Sequence, residues 1–162
     1  MAEDGHRTAA SGRSAENGRK RVLRIVAVQA AAVSAAVHLL WAWPRLAEPN
    51  DPRPYLFVLA AAFTVVVAAA TLRADEYRRL YALGAGTLTA YPVGYVAWHG
   101  GATVAALAAD PLAIVGKTAE VVGTVAFLAL YRLAPPTSVV VARRTGDEVE
   151  GDGPEGGEPD DE

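Results

Sequence analysis

Cysteine is absent from all 162 residues. Disulfide frameworks, thiolate metal sites and cysteine nucleophiles are therefore excluded, and the redox compartment cannot be read. Lysine is nearly absent too: Lys20 and Lys117 stand alone among arginines. That bias, with the acidic C-terminal tail, points to a GC-rich genome and a salt-adapted cell and carries no chemistry. Catalytic signatures are missing as well. The chain has no Walker loop, no HExxH, no zinc spacing and no Ser-His-Asp arrangement. The Gly-x-Gly of "LGAGT" lies inside an apolar run with no strand before it, so it is no nucleotide-binding loop. No catalytic or metal-ligating residue is assigned on these grounds.

Charge, too, is missing from long stretches. The chain is 52% hydrophobic yet 20% charged, which requires that oil and charge be segregated. Half of the acidic residues lie between Asp147 and Glu162, and the net charge of −3 hides a basic remainder. Four apolar runs lie between the charged regions: Ile25–Trp43, Pro54–Leu72, Leu80–Trp98 and Leu112–Leu133. A run of roughly 20 such residues crosses about 30 Å of hydrocarbon as a helix. The second run carries no charge and is apolar all round, whereas a soluble helix shows a polar face. A chain of this length is too small to surround it. The first run follows a basic region, but it is longer than a signal-peptide core and ends in "WAWPRL", not in a small-residue cleavage site.

The expectation is an all-α integral membrane four-helix bundle. Its links, "PRLAEPNDPR", "RADEYRR" and "HGGATVAALAADP", are short enough to force an antiparallel up-down order. Arg19, Lys20, Arg21 and Arg24 precede the first run, Arg73, Arg78 and Arg79 follow the second, and Arg132, Arg143 and Arg144 follow the fourth. The first outer loop has only Arg45 and Arg53, and the third loop has no basic residue. Both termini are therefore expected on the cytoplasmic side of a cell membrane. Trp41, Trp43 and Trp98 then mark the outer interface. Asp110-Pro111 reads as an N-cap with proline at the first helical position. The alanine-rich third link is expected to form a short interfacial helix.

Residues 1–18 lack periodicity and are expected to be disordered, leaving 19–134 as the membrane domain. Residues 135–162 are expected to form an acidic, disordered cytoplasmic tail, with "TSVVVARR" extended or interfacial. The two halves share no Gly/Pro-interrupted pattern of the kind inverted-repeat transporters show. The basic groups set topology and attract anionic headgroups. The expected partners are the lipid bilayer and a second copy or other membrane proteins, with no nucleic acid.

The polar residues within the runs are the candidate site. Counted along the helices at about 1.5 Å per residue, His38, Tyr91, Tyr95, His99, Lys117 and Glu120 all fall in the outer half. Gln29, Ser34 and a few threonines fall in the inner half. Tyr91, Tyr95 and His99 share one helix face. Ionisable groups at membrane depth cost a few kcal/mol or more and usually face the bundle interior or a wet cavity. Lys117 sits where the helix dipole disfavours a cation, and Lys before Glu is the weaker order for a helical pair. Asp110, a ligand anion or snorkelling to headgroups is therefore expected to help hold it. Gly116, Gly123 and Thr124, beside Glu120, permit close approach of another helix. Pro92 loosens the third run near Tyr91. Each residue also has a plain reading. Lys117 snorkels and Glu120 is protonated or paired, His38 is hydrogen-bonded, His99 is exposed at a loop, and the tyrosines pack.

The segments "HLLWAWPRL", "YALGAGTLTAYPVGYVAWHGG" and "PLAIVGKTAEVV" resemble small four-helix membrane proteins of halophilic archaea to which no activity is assigned. The resemblance covers about the middle two-thirds of the chain. It implies a four-span fold and brings no cofactor or catalytic residue. Three functions remain open. The first is a non-enzymatic structural or accessory membrane subunit, which the many alanines and glycines suit. The second is a small redox protein binding haem or quinone through His38 and His99, against which their mismatch in depth, about 7 Å, counts. The third is a proton-linked carrier titrating Lys117 and Glu120, which four spans would support only as a dimer.

Overall fold

The computed structural model describes residues 3–48, 50–73 and 78–135, with side chains from residue 16 onward. The acidic tail and the extended segment expected after residue 135 lie outside the described residues, as do the loop positions 74–77. All regular structure among the described residues is helical. The order is α1 (Glu3–Ala42), a 3-10 turn (Trp43–Arg45), α2 (Arg53–Arg73), α3 (Arg78–His99), a 3-10 turn (Gly100–Ala102), α4 (Thr103–Ala109) and α5 (Pro111–Leu133).

The ends of α2, α3 and α5 fall within two residues of the apolar runs read from the sequence. α1 differs, because its helical backbone begins at Glu3, inside the segment whose composition favours disorder. Alanine, arginine and glutamate there are good helix formers, so local propensity and lack of apolar periodicity pull in opposite directions. Three helical stretches, Glu16–Arg45, Arg53–Arg73 and Pro111–Leu133, are long and apolar enough to cross a membrane. α3 has the length but not the apolarity. Its sequence spends positions on Arg78, Arg79, three glycines, two threonines, three tyrosines and Pro92.

Local chemistry explains the boundaries. Pro111 occupies the first turn of α5, and Asp110 Oδ1 accepts from Leu112 N at 2.9 Å, the N-cap expected from the sequence. α3 stops at His99 because Gly100 adopts φ +53°, a left-handed conformation open to glycine. α4 is thus a helix of its own and not an extension of α3. In the first loop Asn50 takes φ 75°, which asparagine tolerates better than most residues. The Arg53 side chain hydrogen-bonds Asp51 at 2.7–3.0 Å, holding that carboxyl below the usual carboxylate range.

Each long helix buries one stripe. On α1 it is Ala27, Ala30, Ala31, Ser34, Ala35 and His38, spaced three and four apart. On α5 it is Gly116, Ala119, Glu120, Gly123, Ala126, Phe127 and Leu130. These two stripes face each other, α1 also packs on α2, and α3 packs on α5. α2 and α3 touch far less. The core is small-residue packing plugged by a few large side chains, chiefly Phe127 and Leu88, both nearly inaccessible. The other faces are apolar and open: Leu59 is 66% exposed, Val66 63% and Val125 62%. In water such a surface would be an aggregation patch, whereas it matches hydrocarbon.

Glycine makes the close contacts possible. A Cβ on Gly84 would lie 2.7 Å from the Phe127 ring, and one on Gly123 would strike Leu88 and lie 3.1 Å from Ala30 Cβ. Phe127 is fully buried, so its ring cannot swing clear. Gly86, two positions along α3, has nothing within 4 Å of its own added Cβ. Gly84→Ala is therefore expected to destabilise by about 1–3 kcal/mol through overpacking. Gly86→Ala should be neutral or stabilising by up to about 1 kcal/mol. Thermal unfolding in detergent followed by circular dichroism measures both; equal effects would refute the α3–α5 contact.

Candidate functional site

Ser34 and His38 are four residues apart on α1, hence on one face. His38 Nδ1 donates to the Ser34 carbonyl oxygen at 2.8 Å. A carbonyl only accepts, so Nδ1 carries a proton and Nε2 of the neutral ring presents a lone pair. The Ser34 hydroxyl donates in turn to Glu120 Oε1 on α5 at 3.4 Å. Glu120 is inaccessible, and its other oxygen, Oε2, accepts from Lys117 Nζ at 2.5 Å. The ammonium also lies 5.2 Å from the centre of the Tyr95 ring on α3, a cation–π contact.

On the other side of His38, its ring packs at 4.6 Å from Tyr91 of α3 and 5.1 Å from Phe57 of α2. Phe57 stacks on Trp41 at 4.4 Å, and Trp41 carries the Arg45 guanidinium on its face at 4.4 Å. The Tyr91 hydroxyl reaches α2 twice, lying 2.6 Å from Thr64 Oγ1 and 2.9 Å from the Ala60 carbonyl oxygen. Thr64 also reaches that carbonyl, at 2.8 Å. Two hydroxyl protons serve these three contacts, so one hydroxyl donates to the other and the second donates to Ala60.

His38, Tyr91, Lys117 and Glu120 thus lie in one continuous network joining α1, α2, α3 and α5. Tyr95 and His99 form its outer edge: the two rings are 4.2 Å apart, and His99 Nδ1 donates to the Tyr95 carbonyl at 3.0 Å. The two histidines do not meet. His38 packs at the level of Tyr91, and His99 lies eight residues further along α3, roughly 12 Å by helical rise. The ion pair of Lys117 is with Glu120 and not with Asp110, whose Oδ1 caps α5.

Sequence reading missed Ser34, Thr64 and Phe57 as members. Counting along the helix places Ser34 in the inner half, yet it bonds Glu120. Both residues lie near mid-span, where a division into halves separates neighbours. The usable signal was the four-residue spacing from Ser34 to His38. No signal in the sequence singled out Thr64 from other threonines.

Chemically the network holds a carboxylate, an ammonium, an imidazole and a phenol, with no activated nucleophile. Among the described residues no group of three or more His, Cys, Asp or Glu side chains is placed to hold a metal. A cleft of about 430 Å³ lies between α1 and α5, bordered by Ala30, Val33, Thr118, Ala119 and Val122; Glu120 is not among its lining residues. No family model matches the chain, and neither a curated protein nor a solved structure does so.

The aromatic and hydroxyl parts of Tyr91 are separable. Tyr91→Phe keeps the ring on His38 and is expected to cost about 0.5–1.5 kcal/mol, one net hydrogen bond. Tyr91→Ala also loses the ring and should cost about 3–5 kcal/mol. Unfolding in detergent measures the difference; identical losses would show that the ring contact contributes nothing.

Proposed function

We propose that this chain is a four-span integral membrane protein with both termini cytoplasmic, acting as a non-enzymatic structural or accessory membrane subunit. Three apolar helices support membrane association. The fourth span is α3, whose polar side chains find partners within the protein: Tyr81 is buried, Tyr91 bonds α2, and Thr87 and Thr89 return their hydroxyls to the Leu83 and Ala85 carbonyls of α3 itself. A helix shielded in this way tolerates the membrane without a high hydropathy of its own. The short connections and the arginine bias set the orientation. The resemblance to small four-helix membrane proteins of halophilic archaea is part of the same reading.

The observation that carries the functional reading is the enclosure of Glu120. Its side chain is 1% exposed and is held by Lys117 and Ser34. A carrier or enzyme needs its titrating group reachable by substrate or solvent, and this one is sealed between α1 and α5. The cluster is a lock that sets helix register. A redox role through His38 and His99 is disfavoured because His38 packs at the level of Tyr91, eight residues from His99 on α3.

A double-mutant cycle tests the lock. Lys117→Met alone is expected to destabilise by about 3–5 kcal/mol, because it strands a buried carboxylate. Glu120→Gln alone strands the ammonium and should be similar or smaller, since Lys117 keeps 19% of its side-chain exposure. The double variant should cost less than the sum of the two. The opposite result is a folded Glu120→Gln protein of parental stability that has lost a pH-dependent flux in liposomes; that outcome would establish the carrier. Protease mapping that placed the two tails on opposite membrane faces would refute the four-span arrangement.

A further inference from the structure

At the basic end of the bundle two arginines rest on tyrosines. Arg24 of α1 donates from Nη2 to the Tyr81 hydroxyl at 3.0 Å, and Tyr81 is buried. Arg78 of α3 places its guanidinium 4.3 Å over the Tyr131 ring of α5. Its Nε is buried and has no hydrogen-bond partner. Arg78 and Tyr81 are three apart on α3, so the two clamps are neighbours. A shallow cleft beside them is bordered by Lys20, Arg24, Tyr81, Leu130, Leu133 and Ala134. Lys20 pairs with Glu16 at 3.3 Å. Among the described residues no carboxylate lies within ion-pair distance of Arg24, Arg78 or Arg132. At the other end Arg53 has a carboxylate, and Arg45 packs on Trp41.

We infer that Arg24 and Arg78 bind the phosphate of an anionic glycerolipid in the leaflet at this end, a site that rests on the membrane reading above. Each guanidinium spends one face or one N–H on a tyrosine, which fixes its plane and leaves its other donors for an oxyanion. Guanidinium planes held this way suit the oxygens of a phosphate. The source is a lipid and not a free anion because the floor is apolar: Leu130, Leu133 and Ala134 meet an acyl chain where the arginines meet the head. The cleft holds only about 10 Å³, too little to enclose a small molecule and suited to a headgroup lying across its mouth. Basic pockets between membrane helices at the cytoplasmic side take such headgroups.

The test is native mass spectrometry of the full chain in detergent, titrated separately with phosphatidylglycerol, phosphatidylcholine and inorganic phosphate. The parent should retain phosphatidylglycerol over phosphatidylcholine. Arg24→Gln with Arg78→Gln should weaken phosphatidylglycerol binding by roughly 10- to 30-fold and leave phosphatidylcholine binding unchanged. Arg45→Gln, at the other end, should bind as the parent does. Helical circular dichroism of the double variant guards against misfolding, and Arg→Lys at both positions should restore part of the affinity. No preference in the parent, or undiminished binding by the Gln variant, overturns the site. Full competition by millimolar inorganic phosphate overturns the lipid as its source. A chain that stays soluble without detergent fails the membrane reading itself, which is a different result from a membrane-inserted chain with no lipid preference.

Discussion

A carboxylate with no access to solvent is the constraint around which the bundle is arranged. Glu120 has an exposure of zero, and an isolated charge in such a place is costly by several kcal/mol. The compensation is local and directional: Lys117 one turn away on the same helix, and Ser34 from the facing helix. That second contact is possible only because α5 is small on both sides of Glu120. Gly116 meets Val37 and Gly123 meets Ala30, so α1 comes close enough for a serine hydroxyl to span the gap. The same close approach sets the height of His38 on α1 and so its contact with Tyr91 and Phe57. Register between α1 and α5 thereby determines where α2 and α3 find their polar partners.

Helices in hydrocarbon gain no hydrophobic free energy by leaving lipid for one another, so packing and polar contacts must hold them. Both devices are visible and are used in different places. The α1–α5 and α3–α5 contacts are built from Ala and Gly, with Phe127 and Leu88 filling the remaining volume. α2 and α3 have few contacts and are linked instead through Tyr91, Thr64 and the Ala60 carbonyl. Threonines off the network are made harmless by their own helices. Thr71, Thr87 and Thr89 each donate to the carbonyl four residues back, which satisfies the hydroxyl without water.

How much of this was legible follows from which forces are local. Helix existence and ends were readable because apolar runs, proline, glycine and the Asp110 cap act within a few residues of themselves. The surface helix α4 was readable for the same reason. The difference at the start of α1 arose where propensity and periodicity disagree. The polar cluster was visible as a set, because ionisable groups in apolar runs are conspicuous whatever they touch. Its wiring was not. Lys117 finds Tyr95, and Tyr91 finds Ala60, only after three helices have been rotated and shifted into place, and alanine-rich faces encode that rotation weakly. Likewise the sequence offers Asp110 as a partner for Lys117, and in the fold Lys117 pairs with Glu120 while Asp110 caps α5.

The same wiring bears on whether protons could use the cluster. A proton bound for Glu120 must come past Lys117, an obstacle of like charge, or between α1 and α5. That second path starts at the apolar cleft bordered by Ala30, Val33 and Ala119 and then meets the close contact of Gly123 with Ala30. The sparse α2–α3 side is the easier place to open, but it leads to Tyr91 and Thr64, whose hydroxyls are committed to each other and to Ala60. From there His38 stands before Glu120, and its Nδ1 proton is committed to the Ser34 carbonyl, leaving only Nε2 to accept. A relay needs groups that exchange partners at low cost. Here each donor is fixed by backbone or by packing, which favours a rigid helix lock over a conduit.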